Sequence, residues 1–209
     1  MRPLLLLPVL LLLAACAHTA TRTGQAVDIF DGRSLKGWEG NQKIFRVRDG
    51  AIVGGYISQT LTNNEFLCTT RQYTNFVLKA KFMLVGGDKA NAGIQFRSQR
   101  IPNHWEMIGY QADVGQQYWG ALYDESRRRK ILVQPPVEDL PKLVRYHEWN
   151  DYEIRAEGKH IVLKLNGHTT VDYTEPDDTI PQSGYIAVQI HAGPPSEALY
   201  KDLTIRELP

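Results

Sequence analysis

Cysteine is nearly absent from this chain. Its 209 residues include two, Cys16 and Cys68, too few for a disulfide framework, so an exported fold must rest on its apolar core instead. A charge excess of either sign is missing as well: 24 Lys and Arg oppose 23 Asp and Glu, a formal net charge of +1. That balance gives no electrostatic pull toward nucleic acid or an acidic surface, and no nucleic-acid partner is expected. No apolar run reaches the ~20 residues of a membrane-spanning helix. No stretch sustains a helical period of apolar residues either, so helix content should be low.

What is present begins with a leader. Arg2, the apolar runs Leu4 to Leu7 and Val9 to Leu13, and the ending Leu13-Ala14-Ala15-Cys16 give residues 1–15 the charged start, short apolar stretch and small-residue cleavage site of an export signal. A cysteine directly after Leu-Ala-Ala resembles the bacterial lipoprotein signal, in which cleavage leaves Cys16 as the new N-terminus carrying lipid. The expectation is a lipoprotein anchored through Cys16 to a membrane of the bacterial cell envelope and facing the periplasm or the cell exterior. A plain secretory signal with an incidental cysteine is the alternative. Residues 16–26 then supply the lipidated cysteine and a small, polar tether. Residues 27–209 are enough for one domain with a good core and too few for two of ordinary size. If Cys16 is lipidated, Cys68 has no partner. Within Phe66-Leu67-Cys68-Thr69 it reads as a small buried hydrophobe, with no basic neighbour evident to activate it.

After residue 27 the chain reads as short strands punctuated by turns. Asp49-Gly50, Gly54-Gly55, Gly86-Gly87, Glu157-Gly158 and Asn166-Gly167 mark the turns, and Asp-Gly and Asn-Gly favour the positive φ of tight hairpins. Ile44 to Val47 with Ala51 to Val53 predicts one hairpin. Ile154 to Ala156, Ile161 to Asn166 and Thr169 to Tyr173 predict a meander. Asn75 to Val85 is longer, with Phe76, Leu78, Ala80, Phe82 and Leu84 on one face. Many short strands at regular spacing predict an all-β sandwich or barrel.

Three separated segments carry a polar row opposite an apolar one. Gly93, Gln95 and Arg97 alternate with Ala92, Ile94 and Phe96; Gln111 and Asp113 alternate with Tyr110, Ala112 and Val114; Gln189 and His191 alternate with Ile186, Val188 and Ile190. Successive strand side chains point to opposite faces. The displayed rows contain no Lys or Glu, unlike an ordinary solvated face, and read as the lining of a cleft. A watered face of an antiparallel sheet is the bland alternative. Two insertions interrupt the rhythm. Ser98 to Ile108 holds His104, Trp105 and Glu106; Gln116 to Tyr146 holds Trp119 and the charged run Asp124 to Lys130, which reads as a solvated tip.

Four segments together resemble the 3-keto-disaccharide hydrolase family, also described as 3-keto-glucoside 1,2-lyase and 3-keto-2-hydroxy-glucal hydratase domains. They are Ile29 to Trp38 (IFDGRSLKGW); Asn91 to Arg97 (NAGIQFR); Gly120 to Asp124 (GALYD); and Glu148 to Tyr152 (EWNDY), leading through Leu165-Asn166-Gly167 to Ala187 to His191 (AVQIH). The resemblance covers nearly all of residues 27–208. On Gly109 to Gly115 the chain departs from it, carrying Gln111 and Asp113 where relatives commonly have a glutamate and a glutamine two apart. The resemblance implies a concanavalin A-like lectin/glucanase jelly roll, two curved antiparallel sheets whose concave face holds carbohydrate. It also implies action on a 3-keto-glycoside or oligosaccharide, with a divalent metal ion as a possible cofactor whose ligands the sequence does not locate.

The residues suit that chemistry. A conventional glycosidase flanks the scissile bond with two carboxyls, and no strand here carries the Glu-x-Asp-x-Glu row that supplies them on such folds. The nearest, Asp151-Tyr152-Glu153-Ile154-Arg155, reads as an exposed strand face. A ketone at C3 acidifies the C2 hydrogen, so elimination needs one base, one acid for the leaving oxygen and a stabiliser for the oxyanion. Asp113 and His191 are the candidates for proton transfer and Arg97 for the oxyanion. Gln95, Gln111 and Gln189 are the candidates for holding hydroxyls, and His104, Trp105, Glu106 and Trp119 for closing over the sugar. Each has a structural alternative: His191 bonding a backbone carbonyl, Arg97 pairing with Asp113, a tryptophan simply packing. A non-catalytic carbohydrate-binding module and a conventional glycoside hydrolase remain open as rival functions.

Overall fold

The computed structural model describes residues 24–209. The predicted leader, the lipidation site Cys16 and most of the tether lie outside the described residues. In chain order the strands are β1 (Val27–Asp28), β2 (Trp38–Glu39), β3 (Phe45–Arg48), β4 (Ala51–Tyr56), β5 (Glu65–Tyr73), β6 (Phe76–Gly86), β7 (Asn91–Arg100) and β8 (Met107–Gly115). They continue with β9 (Leu122–Glu125), β10 (Lys130–Val133), β11 (Asn150–Glu157), β12 (His160–Leu165), β13 (His168–Thr174), β14 (Gly184–Ile190) and β15 (Ser196–Glu207). The one α-helix described, α1 (Leu140–Leu143), is a single turn.

These strands form a jelly-roll sandwich of two antiparallel sheets. The first runs β13-β12-β11-β6-β15-β4-β3, with β1 added on β15; the second runs β10-β9-β8-β7-β14-β5-β2. Period-two alternation explains the stacking. Phe76, Leu78, Ala80, Phe82 and Leu84 on β6 are buried inward, and they meet Ala92, Ile94 and Phe96 from β7 and Ile186, Val188 and Ile190 from β14 in one core. Removing those surfaces from water supplies the main drive to fold, at roughly 25 cal/mol per Å² of apolar area. The opposite face of the first sheet is solvated. There Lys81 pairs with Asp151, and both Lys79 and Lys164 pair with Glu153. The Asp151 and Glu153 row is thus an exposed, charge-laced strand face.

Both predicted insertions are shorter than the sequence suggests. Strand β7 runs on to Arg100 and β8 starts at Met107, so the first loop is only residues 101–106. The second contains the β9/β10 hairpin, which extends the second sheet at its edge. The charged run within it is an ion-pair cluster rather than a solvated tip. Arg127 and Arg128 both pair with the fully buried Asp124, and Arg128 also pairs with Glu175. Burial opposes ionisation of Glu175, but Arg128 and the Tyr110 hydroxyl outweigh it and hold its carboxyl down to about 2.

Candidate active site

The face of the second sheet turned away from the core carries the polar rows. Register aligns them: Gly93 lies opposite Asp113 on one side and Gln189 on the other, and Gln95 lies opposite Gln111 and Ala187. Two tyrosines of the first sheet brace this array from behind. Tyr152 Oη donates to Asp113 O at 2.8 Å, and Tyr200 Oη donates to Gln189 O at 2.6 Å.

A polar relay crosses the face. Ser98 Oγ donates to Gln95 Oε1 (2.7 Å), Gln95 Nε2 to Gln111 Oε1 (2.9 Å), and Gln111 Nε2 to Asp113 Oδ1 (3.4 Å). Each bond fixes the next amide, so the chain of donors ends at Asp113. Gly93 makes room for it: a Cβ there would sit 2.5 Å from Gln111 Cδ. Oδ1 of Asp113 also accepts from Asn91 Nδ2 (3.3 Å) and Val114 N (3.1 Å). All three donors converge on one oxygen, which leaves Oδ2 for the cleft. Burial pushes this carboxyl up to about 7, because desolvation outweighs the three hydrogen bonds.

The cleft beside Asp113 has a volume of about 480 Å³ and is lined by Asn91, Gln111, Glu125, Arg129, Lys130 and His191, among others. His191 follows β14 directly. Its backbone N donates to Asn91 O (3.1 Å), and its Nδ1 lies 2.6 Å from Ala192 O. A carbonyl can only accept, so Nδ1 carries the proton and Nε2 presents a lone pair. The expected alternative for His191, a bond to a backbone carbonyl, is therefore present and fixes the tautomer. Burial first, and the charges of Glu106 and Asp113 next, push Glu125 up to about 7.

Arg97 is not in this cleft. The β7/β8 register shifts between Phe96 and Gln99, and Arg97 sits there at φ 48°, which breaks the alternation and sends its side chain away from Gln95. The guanidinium instead donates to Thr74 O (2.7 Å from Nη2) and Gly158 O (2.6 Å from Nη1). It clamps two turns and makes no pair with Asp113. Burial lowers it to about 10, still charged at neutral pH.

Trp119 packs on Phe82 (6.0 Å between ring centroids) and does not line the cleft. His104 and Trp105 stack on each other at 4.3 Å on the 101–106 loop, with Trp105 51% exposed, and neither lines the cleft. Glu106 turns inward, its Oε1 accepting from Asn64 Nδ2 (2.9 Å) and its Oε2 buried without a partner. Gln189 is buried with neither amide atom bonded. Polar atoms left this way cost about 1–3 kcal/mol each, a cost that a ligand hydroxyl or water removes. Cys68 is buried against Met107, and desolvation pushes its thiol up to about 12, so it is inert as read from sequence.

Sequence reasoning missed Glu125, Asn91, Arg129 and Lys130. The available signal was the alternation of Leu122, Tyr123, Asp124 and Glu125 ahead of a second short strand, which marks a hairpin rather than a loop. For the metal ion that the resemblance implies, no group of three or more His, Cys, Asp or Glu side chains among the described residues is arranged to hold one. The donor set described does not fit a resident ion.

A family model, the 3-keto-α-glucoside-1,2-lyase-like domain, matches residues 25–206. The chain belongs to this family. It is therefore a carbohydrate-active domain, and its fold recurs in solved structures of low sequence identity. A candidate glycosyl hydrolase from Parabacteroides distasonis is 19% identical with a TM-score of 0.65, covering 88% of this chain and 94% of that one. The carbohydrate-binding module CBM66 from Bacillus subtilis is 13% identical with a TM-score of 0.61, covering 82% and 96%. A β-1,3-1,4-glucanase (lichenase) derived from a mouse hindgut metagenome is 10% identical with a TM-score of 0.52, covering 81% and 92%. At these identities the likeness is one of fold. No curated protein matches the chain in sequence.

Proposed function

We propose that this domain cleaves 3-keto-glycosides by 1,2-elimination and hydrates the resulting 3-keto-2-hydroxy-glucal. The observation that carries the reading is Asp113: a buried carboxyl near neutral pKa, one oxygen held by three donors and the other facing a polar cleft. A base poised near the working pH is what abstraction of an acidified C–H requires.

Asp113 Oδ2 removes the C2 hydrogen as a proton, and the C–H electrons move into the C3 carbonyl to give an enediolate. Arg129 and Lys130, which line the cleft, take the oxyanion role first expected of Arg97. The C1–O bond breaks as the enediolate re-forms the ketone, and Glu125, held protonated near neutrality, donates its proton to the leaving oxygen. His191, with Nε2 free to accept, activates water for the second half. Hydroxide then adds at C1 and a proton at C2, so the sum of both halves is hydrolysis. Burial raises both carboxyls, and the charge of Asp113 adds to the rise at Glu125, so Glu125 is the one that keeps its proton once Asp113 ionises.

The test is incubation of residues 24–209 with a 3-keto-glucoside and with its unoxidised parent, each with and without a chelator. Turnover of the oxidised sugar alone supports the reading, and a chelator effect brings in an ion delivered with substrate. Saturable binding without product leaves a binding module; turnover of the parent makes it a conventional hydrolase. Asp113→Asn should lower kcat by a factor of about 10²–10⁴, the usual range for a lost general base, with an unchanged circular dichroism spectrum. Full activity in that variant removes Asp113 from the mechanism.

A further inference from the structure

The orphaned polar atoms of this protein gather in one place. Five buried side-chain nitrogen and oxygen atoms among the described residues lack a hydrogen-bond partner. Two of them, Asp124 Oδ1 and Arg127 Nη2, face each other in an ion pair at 2.8 Å. The other three are both amide atoms of Gln189 and Oε2 of Glu106. Gln189 stands on β14 between Gly93 of β7 and Phe66 of β5, two residues before His191, which lines the cleft. Glu106 reaches the same ground from the 101–106 loop. Its Oε1 accepts from Asn64 Nδ2 (2.9 Å), and Asn64 Oδ1 accepts from Ala192 N (2.8 Å), next to His191.

The loop covers them because the start of β8 leaves the sheet. Met107 opens β8, yet its sulfur meets Cys68 Sγ of β5 at 3.2 Å. Strands β7 and β14 stand between those two in the sheet, an interval of roughly 14 Å at the ordinary strand spacing. The first residues of β8 have therefore curled over the sheet face, carrying residues 101–106 with them. Glycine makes the bend possible: a Cβ on Gly109, at φ 151°, would sit 2.2 Å from Ser98 Oγ. The loop is lightly held. Glu106 bonds Asn64, Arg100 Nη2 donates to Glu39 O (2.5 Å), and residues 102–105 are exposed.

Beneath it the Gln189 amide is shut off from solvent and from protein partners alike, an arrangement that costs stability unless something is gained on opening. An amide offering one donor and one acceptor, beside a carboxylate oxygen that accepts, complements two adjacent hydroxyls, each of which donates and accepts.

We infer that residues 101–106 are a flap over a hydroxyl-binding subsite, in which Gln189 and Glu106 take a vicinal diol of a sugar when the flap lifts. That the sugar is a 3-keto-glycoside rests on the function proposed above; the subsite itself does not require the elimination. The diol belongs to the reacting ring or to the ring beside it, and the experiment separates the two.

Binding is measured by calorimetry with methyl 3-keto-glucoside and with a 3-keto-disaccharide of glucose, in an Asp113→Asn background that suppresses turnover. Thermal melting is measured in the otherwise wild-type protein. Gln189→Leu removes the orphaned amide and keeps a side chain of similar size. It should raise the melting temperature by about 2 °C or more and weaken sugar binding at least tenfold, the scale of a lost hydroxyl contact. Glu106→Gln, which keeps an acceptor for Asn64, should weaken the same binding. Loss with both sugars puts the diol on the reacting ring; loss with the disaccharide alone puts it on the neighbouring ring. Trp105, half exposed on the flap, reports the motion, so bound sugar should change tryptophan fluorescence and Trp105→Phe should abolish the change. Fluorescence unmoved by bound sugar overturns the flap. A lowered melting temperature with unchanged affinity in Gln189→Leu makes that residue structural and overturns the subsite. So does wild-type affinity in both variants, or no sugar binding before either change. A wild-type protein that binds sugar through Gln189 but turns none over overturns the elimination and leaves the subsite standing.

Discussion

In the proposed mechanism the chemistry concentrates at Asp113, a single carboxyl whose environment works against its charge. Its pKa rises to about 7 in the folded state from an ordinary value of 3.8. Below about pH 4 the carboxyl is protonated whether folded or unfolded and costs nothing. Between about 4 and 7 the unfolded carboxylate ionises while the buried one keeps its proton, so this residue lowers stability as pH rises through that window, and Glu125 adds to it in the same sense. Asp113→Asn should therefore raise the melting temperature by several °C at pH 8, at roughly 2–4 °C per kcal/mol for a domain of this size, and change it little at pH 4. Equal effects at both pH values would mean that the carboxyl is not desolvated. Activity should follow a bell, with kcat/KM rising as Asp113 ionises and falling as Glu125 loses the proton it must donate, the maximum lying near pH 7. Arg97 is the contrasting residue. Arg97→Ala strips donors from Thr74 O and Gly158 O, and should destabilise the fold by about 2–4 kcal/mol in urea titration. The KM of whatever folds should stay unchanged, since the guanidinium lies outside the cleft.

Among the elements, β7 decides where the site ends. Its bulge after Phe96 separates Gln95, which faces the relay, from Arg97, which faces two turns. A one-residue slip in a strand reverses every side chain beyond it, and nothing in Gly93-Ile94-Gln95-Phe96-Arg97 announces the slip. Gly93 on the same strand is legible in retrospect: the Gln111 side chain occupies the space a Cβ would fill. Gly93→Ala should displace Gln111, unseat the relay to Asp113 and cut kcat at least tenfold, the scale at which small misplacements tell. A variant with normal kcat would mean that the relay does not position the acid. In the sequence the β9/β10 hairpin reads as insertion, because two four-residue strands carry little periodic signal. It nevertheless brings Glu125, Arg129 and Lys130 to the cleft, while Asp124 on its other face anchors the hairpin through Arg127 and Arg128.

For the whole molecule, the sandwich is the scaffold, and we propose that residues 1–15 supply its address. The described residues form one folded unit, so a chain beginning at residue 24 should fold and turn over substrate at the full-length rate. The lipid anchor is proposed from Leu13-Ala14-Ala15-Cys16 alone. Cys16→Ser should shift the protein from the membrane fraction to the soluble one with kcat unchanged; a variant that stays membrane-bound would place the attachment elsewhere.

The amino-acid sequence by itself determined the all-β sandwich, the inward row of β6, the inert Cys68 and the candidacy of Asp113, Gln111 and His191. Alternation and turn residues are local properties, and burial follows from them. Only the tertiary structure decided that Arg97 leaves the site, that Trp119 stays out of it, and that Glu125, Arg129 and Lys130 join Asp113. Those outcomes depend on a bulge, a register and a hairpin docking. Each is set by the sum of many long-range contacts, which no local window of residues contains.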